Sequence, residues 1–157
     1  MRCVLVLGAG LAIGVTAAAE PAERTLCRPD EAVVFSCTVG ARLVSLCRTG
    51  ADPKRLSYRF GRPDRVELAY PEAGAAGTFK RTSGLLYGGG ITAVGFRRGD
   101  YEYAVYSRMG RAAGGGDPET EDGVAVARGG KRISTLICDD GGAGFRESID
   151  WLPKKPG

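Results

Sequence analysis

Apolar and polar residues alternate along most of the chain in short runs that end at Gly, Pro or Asp. The runs are rich in β-branched and aromatic residues, and a turn residue recurs roughly every eight to twelve positions, a spacing typical of antiparallel all-β domains. Helical periodicity is hard to find. The segments predicted as strands are 32–39, 42–48, 56–61, 65–71, 77–83, 91–98, 100–107, 123–128 and 131–138.

Several of these segments are separated by only a few turn residues. The linkers are Gly40-Ala41, Gly61-Arg62-Pro63-Asp64, Gly99-Asp100 and Gly129-Gly130. Each suits an antiparallel hairpin, because glycine readily adopts the positive φ that a tight turn needs. The predicted fold class is therefore all-β: an antiparallel up-and-down meander of about eight strands that closes as a small barrel or a sandwich.

Two segments lie outside this pattern. Residues 109–122 have no apolar period and are predicted to form one long mobile loop whose acidic residues are solvated. Residues 139–157 are predicted to form a loosely attached tail, with Phe145, Ile149 and Trp151 docking at one end of the core.

The apolar segment VLVLGAGLAIG, residues 4–14, fits two opposed interpretations. Its glycine spacing resembles a dinucleotide-binding turn, but such a turn must open a helix, and the small-residue run that follows ends at Pro21. An export signal instead needs a basic start, an apolar core of roughly 7 to 15 residues and small residues spaced A-x-A. Arg2, the uncharged run after it and Ala17-x-Ala19 supply all three.

The sequence therefore predicts a signal peptide over residues 1–19, cleaved between Ala19 and Glu20, and a single β domain over 20–157. The uncharged run is short for a membrane helix of about 20 residues, so no membrane span is expected after processing. Cys3 is too near the start to be a lipoprotein cysteine, so no lipid anchor is expected. The expected location is the periplasm or the secreted space.

Composition narrows the classes of function. The 22 basic and 18 acidic residues give a net charge of +4, and the arginines are scattered, so the chain lacks the basic stripe of a nucleic-acid-binding protein. The sequence contains no His, Asn or Gln, which excludes Ser-His-Asp and Cys-His catalysis and His-ligated zinc. The serines and lysines show no nucleophile pattern. We therefore expect a protein that is not an enzyme and has no cofactor.

Four cysteines remain after removal of the signal peptide: Cys27, Cys37, Cys47 and Cys138. An even number in an exported chain favours disulfides, and no C-x-x-C pair indicates a metal site. Three pairings are possible. If the first and last strands lie together, Cys37 pairs with Cys138 and Cys27 with Cys47, and we prefer this pairing because a bond between distant strands constrains the unfolded chain most.

The stretches EAVVFSCTVGARLVSLC, YRFG and YEYAVYS resemble a group of small exported bacterial proteins. This resemblance covers most of the mature chain. It implies a location and a fold, and it implies no activity.

A shorter stretch resembles the periplasmic inhibitors of c-type lysozyme, which are small disulfide-closed antiparallel β-barrels. Their pattern is Ser-Gly-x-x-Tyr, an aromatic residue, and Lys-Gly on the next strand. Ser83 and Tyr87 fit the first part, Phe96 takes the aromatic place and Arg98 the basic one, with Phe for the usual Trp and Arg for Lys. The resemblance implies that Ser83 and Arg98 contact the catalytic carboxylates of lysozyme, with Tyr87 as a further residue of the binding set.

Two functions therefore stay open. The first is an exported, monomeric binding protein of the envelope or secreted space, whose ligand is an unidentified protein or envelope polymer and not a nucleic acid. The second is a periplasmic inhibitor of c-type lysozyme that acts through Ser83, Tyr87 and Arg98. An enzyme would instead require a pocket in which two carboxylates face each other.

Overall fold

In a computed structural model, the residues that the structure describes are 24–111, 114–139, 141 and 143–156. They form nine antiparallel strands and no helix, which confirms the predicted all-β class. The strands are β1 (Ala32–Val39), β2 (Arg42–Thr49), β3 (Arg55–Arg62), β4 (Arg65–Tyr70), β5 (Lys80–Leu86), β6 (Gly89–Arg98), β7 (Tyr101–Gly110), β8 (Glu119–Arg128) and β9 (Lys131–Ile137).

The strands follow one another in an up-and-down order within two sheets. Sheet 1 has the order β1-β2-β3-β4, and sheet 2 has the order β5-β6-β7-β8-β9. No ladder joins the two sheets among the described residues, so the fold is a sandwich and the predicted alternative of a closed barrel is not formed. Gly40 has a φ of 56° in the β1–β2 turn, where a side chain would be strained.

The core lies between the inner faces of the sheets, where alternate residues of each strand are buried. Its centre is an aromatic cluster of Tyr58, Tyr70, Phe79, Phe96 and Tyr103. Phe96 stacks on Tyr70 at 4.5 Å and on Tyr103 at 4.9 Å between ring centroids. Since Tyr70 belongs to sheet 1 and the other two to sheet 2, this stack fixes the sheets against each other.

The two disulfides join the pairs that the sequence analysis prefers. Cys37 is bonded to Cys138, which joins β1 to the residue after β9 across the buried core. Cys27 is bonded to Cys47 and fastens the N-terminal segment to the outer face of β2. The first and last strands do not pair in one sheet, but the backbone N–H of Asp139 donates to the carbonyl of Thr38 at 2.8 Å, so the two chain segments still meet.

All nine predicted strands are present, and β5 is displaced by three residues at both ends. The sequence places this strand over 77–83, whereas it runs from Lys80 to Leu86. Residues 78 and 79 make other contacts instead of joining the sheet. The Thr78 N–H donates a hydrogen bond to the Tyr70 hydroxyl at 3.0 Å, and the Phe79 side chain is buried in the core. The chain therefore enters the sheet only after Phe79.

The predicted long loop over 109–122 is wrong at both ends. Strand β7 continues to Gly110 and β8 begins at Glu119, which leaves a connection over 111–118. Glu121 accepts hydrogen bonds from the Arg108 guanidinium at 2.9 Å and from the Tyr106 hydroxyl at 2.7 Å, so cross-strand pairing stabilises a polar segment as strand. Asp122, expected to be solvated, is 2% exposed.

The C-terminal segment is packed against the sandwich instead of being loosely attached. Ile149 and Leu152 are buried, and Phe145 contacts Phe35 at 5.4 Å between ring centroids. Near the end of the segment, the Lys155 N–H donates to the Arg81 carbonyl at 2.8 Å, and the Arg81 N–H donates to the carbonyl of Pro153 at 2.9 Å. The segment thus covers one end of the core and one edge of sheet 2.

The N-terminal segment 24–31 covers the outer face of sheet 1, which is the face that points away from the core. Ser45 on β2 accepts a hydrogen bond from the Leu26 N–H at 3.0 Å, and Ser36 on β1 donates to the Arg24 carbonyl at 2.9 Å. The predicted signal peptide 1–19 and its cleavage site at Ala19 and Glu20 lie outside the described residues. Within the described ranges, no helix has the length and apolarity needed to cross a membrane.

Candidate functional site

The three residues predicted to bind a partner do not form one site. Ser83 lies on β5 opposite Thr92, and Tyr87 lies in the exposed turn between β5 and β6. Arg98 ends β6, six residues beyond Thr92, so Ser83 and Arg98 are about 20 Å apart along the sheet. The structure therefore places Ser83 and Tyr87 together on a projecting hairpin and Arg98 at the other end of the strand.

The remaining contacts also differ from those that the lysozyme-inhibitor resemblance implies. Phe96, in the aromatic place, is 5% exposed and belongs to the core. Arg98 forms an ion pair with Glu72 at 3.5 Å. The two residues that the resemblance assigns to the lysozyme cleft are therefore apart along the sheet, and lysozyme inhibition stays a prediction.

A groove of about 930 Å³ lies between β3, the β4–β5 connection and the C-terminal segment. We call it the basic groove. It exists because β4 pairs with β3 only from Tyr58 onward, so the first residues of β3 have no neighbour on that side. The chain between Gly74 and Thr78 forms one wall, and Trp151 to Pro153 form another.

Cationic side chains from four separate parts of the chain line this groove. They are Arg28, Lys54, Arg55, Arg59 and Lys80, whereas Glu31 is the one acidic residue in the lining. Arg55, Ser57 and Arg59 alternate along β3 with the buried Leu56 and Tyr58, so the strand presents its polar face to the groove.

Most of these charges are not neutralised by the protein. In the described part of the chain, no carboxylate forms an ion pair with Arg28, Lys54, Arg55 or Lys80. All four are exposed. The groove is thus strongly positive, although the whole chain has a net charge of only +4.

Glu31 neutralises Arg59 at the base of the groove. Both oxygens of its carboxylate accept hydrogen bonds from the Arg59 guanidinium, and the Glu31 side chain is 3% exposed. Burial raises the pKa of Glu31, but the hydrogen bonds from Arg59 and from the Arg28 N–H, together with both positive charges, outweigh it and hold the pKa below its ordinary value. The same pair raises the pKa of Arg59.

The groove also has an aromatic wall. Trp151 is half-buried, and the Lys54 ammonium lies over its ring at 5.6 Å from the centroid. The indole N–H of Trp151 is buried and has no hydrogen-bond partner in the described residues. A donor without a partner is costly, so an acceptor at this position would be favourable.

A second, shallower depression of about 870 Å³ lies on the outer face of sheet 2, and we call it the sheet trough. Its floor consists of small residues of β6, β7 and β8, namely Ala93, Gly95, Ala104, Ala125 and Ala127. Arg97, Arg132 and Lys155 stand at its rim, together with Glu102, which pairs with Arg97 at 3.1 Å. Thr78 and Lys80 line both depressions, so the basic groove and the sheet trough are adjacent.

Neither metal binding nor carboxylate catalysis fits this site. Cys27, Glu31 and Cys47 have ligand atoms within 4.8 Å of one another, but the cysteines are bonded together and Glu31 is paired with Arg59. The lining of the groove contains one carboxylate where acid–base hydrolysis would need two.

The sequence analysis missed the basic groove for a clear reason. The alternation Arg55-x-Ser57-x-Arg59 is visible in the sequence, but it indicates only the outer face of a strand. Arg28, Lys80 and Trp151 are at least 18 positions away from this strand in the sequence, and only the folded chain brings them to it.

Fold and site together define a disulfide-linked antiparallel β-sandwich with a basic groove beside an open stretch of β3. Comparison with protein-family models, with curated proteins and with solved structures finds no match for this chain.

Proposed function

We propose that this chain is an exported, non-enzymatic binding protein whose ligand is an anionic polymer of the cell envelope or the secreted space, held in the basic groove. The observation that carries this proposal is the convergence of four cationic side chains without an acidic partner on one groove, whose single lining carboxylate is already paired with a fifth cation, Arg59. Charges of one sign in a concave site attract a ligand of the opposite sign much more strongly than the same charges scattered over a surface.

The residue types favour carboxylate or phosphate groups on the ligand. The guanidinium of Arg55 offers a planar set of donors that fits either group, and Lys54 and Lys80 add compact charges. Trp151 adds an apolar ring surface, which suits a sugar ring or another neutral part of the ligand.

The extent of the positive surface favours a polymer over a small anion. From the basic groove it continues past Lys80 into the sheet trough, where Arg132 and Lys155 are exposed. The trough floor of alanine and glycine allows a ligand to lie close to the sheet backbone. A linear polyanion could therefore contact both depressions at once, whereas a small anion could occupy only one of them.

Export is supported by the disulfides and by the predicted signal peptide. Both bonds close with ordinary Cα separations of 5.3 and 5.7 Å. Such bonds persist in oxidising compartments and are rare in a reducing cytosol.

The test is titration of the mature protein with polygalacturonate, which carries carboxylates, and with polyphosphate. We expect binding to at least one of them at low salt, weakening steeply as added salt screens the exposed cations. Replacing Lys54 and Arg55 together by Gln should weaken binding at least tenfold, measured by isothermal titration calorimetry.

Charge-matched variants distinguish an effect of the groove cations from an effect of the net charge of the protein. Arg65→Gln with Lys131→Gln removes the same two charges outside both depressions and should weaken binding less than threefold. Equal losses in the two double variants would show that the groove is not the site. Dextran and single-stranded DNA serve as neutral and nucleic-acid controls, and tighter binding to DNA than to either polymer would contradict the proposed ligand class.

A further inference from the structure

We propose that the ligand of the basic groove is a polysaccharide that carries carboxylates on its sugar rings, and that Trp151 and Lys54 together recognise one such sugar acid. This inference rests on the proposed function, since it names the class of anionic polymer that the groove binds. It is based on the two chemically different kinds of surface in the groove, which a polymer charged on every side does not match.

The two walls of the groove carry no charge. The wall over 74–78 consists of Gly, Ala, Ala, Gly and Thr, and the wall over 151–153 consists of Trp, Leu and Pro. The cations of the lining come instead from the N-terminal segment, from residues 54–59 and from Lys80. A ligand in the groove therefore contacts cations on one part of its surface and uncharged, largely apolar walls on another.

This division disfavours a ligand that is charged on every side. The units of a polyphosphate chain carry charged oxygens all around the chain axis, so some of these oxygens would face the uncharged walls and lose water without gaining a partner. A sugar ring has apolar C–H faces and polar edges. If the ring also carries a carboxylate, its face can lie on a wall while its charge contacts a cation, so both kinds of surface in the groove are matched.

Trp151 and Lys54 lie close enough together to contact a single sugar acid. The Lys54 ammonium is over the indole ring at 5.6 Å from its centroid, and no carboxylate in the described part of the chain forms an ion pair with it. A carboxylate oxygen bonded to this ammonium would lie within about 9 Å of the ring centroid. The carboxylate of a uronate is attached directly to its sugar ring, so the same sugar can also cover part of the indole.

The groove also offers partners for sugar hydroxyls. The side-chain hydroxyls of Thr49, Ser57 and Thr78 are in its lining. A hydroxyl both donates and accepts hydrogen bonds, so it can pair with a sugar hydroxyl in either direction. The carboxylate side chains of an acidic polypeptide have neither hydroxyls nor a ring to place on Trp151. A sugar acid therefore uses more of the lining than an acidic polypeptide does.

The first experiment uses the fluorescence of Trp151, which is the single tryptophan of the chain. The mature protein is titrated at one ionic strength with oligogalacturonate, polyphosphate, poly-L-glutamate and dextran, and quenching of the fluorescence by acrylamide is measured at saturation. We expect oligogalacturonate to bind most tightly and to reduce the quenching at least twofold, because a sugar on the indole shields it from the solvent. Polyphosphate should bind more weakly and leave the quenching nearly unchanged, because it contacts only the cations.

The second experiment changes the aromatic ring and keeps the cations. Trp151→Leu should weaken the binding of oligogalacturonate at least tenfold and that of polyphosphate less than twofold, measured by isothermal titration calorimetry. Trp151→Phe keeps an aromatic ring and should bind oligogalacturonate within threefold of the unchanged protein. The matched control is Tyr87→Leu, which removes a 72% exposed ring outside both depressions and should leave both affinities unchanged. Circular dichroism of all three variants verifies the fold.

The outcomes distinguish a failure of this inference from a failure of the proposed function. Absence of binding to every anionic polymer would overturn both. Polyphosphate binding as tight as that of oligogalacturonate, or equal losses for the two polymers with Trp151→Leu, would leave the groove as an anion site and overturn the sugar acid as its ligand. Poly-L-glutamate binding as tightly as oligogalacturonate would assign the groove to an acidic polypeptide and also overturn this inference.

Discussion

At the residue scale, the pair of Glu31 and Arg59 links the stability of the domain to its site. Glu31 belongs to the N-terminal segment and Arg59 to β3, so the pair holds that segment against sheet 1. It also leaves the other groove cations free by satisfying the single lining carboxylate. A buried pair of this kind is stabilising only when both partners are present, because removing one leaves the other desolvated.

The pair predicts a specific response to acid. The pKa of Glu31 is below its ordinary value of 4.5 in the folded protein, so Glu31 stabilises the fold above that value, and its contribution is lost as the pH falls through the lower folded-state pKa. Glu31→Gln should lower the free energy of unfolding at pH 7 by about 2 kcal/mol and make it less dependent on pH below 4.5.

Urea unfolding at pH 7, 5, 4 and 3 measures this effect. Glu119→Gln, at the exposed start of β8, is the control and should leave both the stability and its pH dependence nearly unchanged. If Glu31→Gln and the unchanged protein lost stability in parallel as the solution is acidified, the Glu31 carboxylate would not be a source of the acid sensitivity.

At the scale of the structural elements, the two disulfides join different parts of the fold. Cys27–Cys47 closes a sequence separation of 20 residues and holds the N-terminal segment on the outer face of β2. Cys37–Cys138 closes a separation of 101 residues and joins the first strand to the end of the last one inside the core. The longer bond therefore restricts the unfolded chain more.

The loop-entropy model predicts the order of their effects. Replacing Cys37 and Cys138 by Ala should lower the free energy of unfolding by about 4 to 5 kcal/mol, whereas replacing Cys27 and Cys47 should lower it by about 3 kcal/mol. Chemical denaturation of the two double variants under identical conditions gives the comparison. The opposite order would mean that contacts of the N-terminal segment outweigh chain entropy.

At the scale of the whole molecule, the sandwich is completed by the C-terminal segment. Ile149 and Leu152 close the end of the core that neither sheet covers, and Trp151 between them forms a wall of the basic groove. The same segment ends by occupying the edge of β5 at Arg81. Its docking therefore stabilises the domain and shapes the groove.

This arrangement predicts that the segment is an integral part of the folding unit. Ile149→Ala should lower the free energy of unfolding by about 2 to 4 kcal/mol, since Ile149 is 5% exposed. Ile133→Ala, at an exposed position of β9, removes the same atoms and should cost less than about 1 kcal/mol. Equal effects, measured by thermal and urea unfolding, would contradict the docking of the segment.

The sequence by itself determined the strands, the meander and the disulfide pairs. Strand β1 spans residues 32–39 as predicted, and β4 and β9 agree with the prediction to within one residue. The alternation of apolar and polar residues and the glycines of the turns are local properties of the sequence, so they can be recognised without the fold. The pairing of Cys37 with Cys138 was favoured on the assumption that the first and last strands pair; they lie in different sheets, but the chain segments still meet at Thr38 and Asp139 and the bond forms.

Only the tertiary structure decided where the chain can bind. Ser83 and Arg98 look adjacent in a motif but lie at opposite ends of a hairpin, whereas Arg28, Arg55 and Lys80 are distant in sequence and line one groove. A strand depends on its nearest neighbours in sequence, but a surface depends on which segments the packing of the core brings together or leaves uncovered.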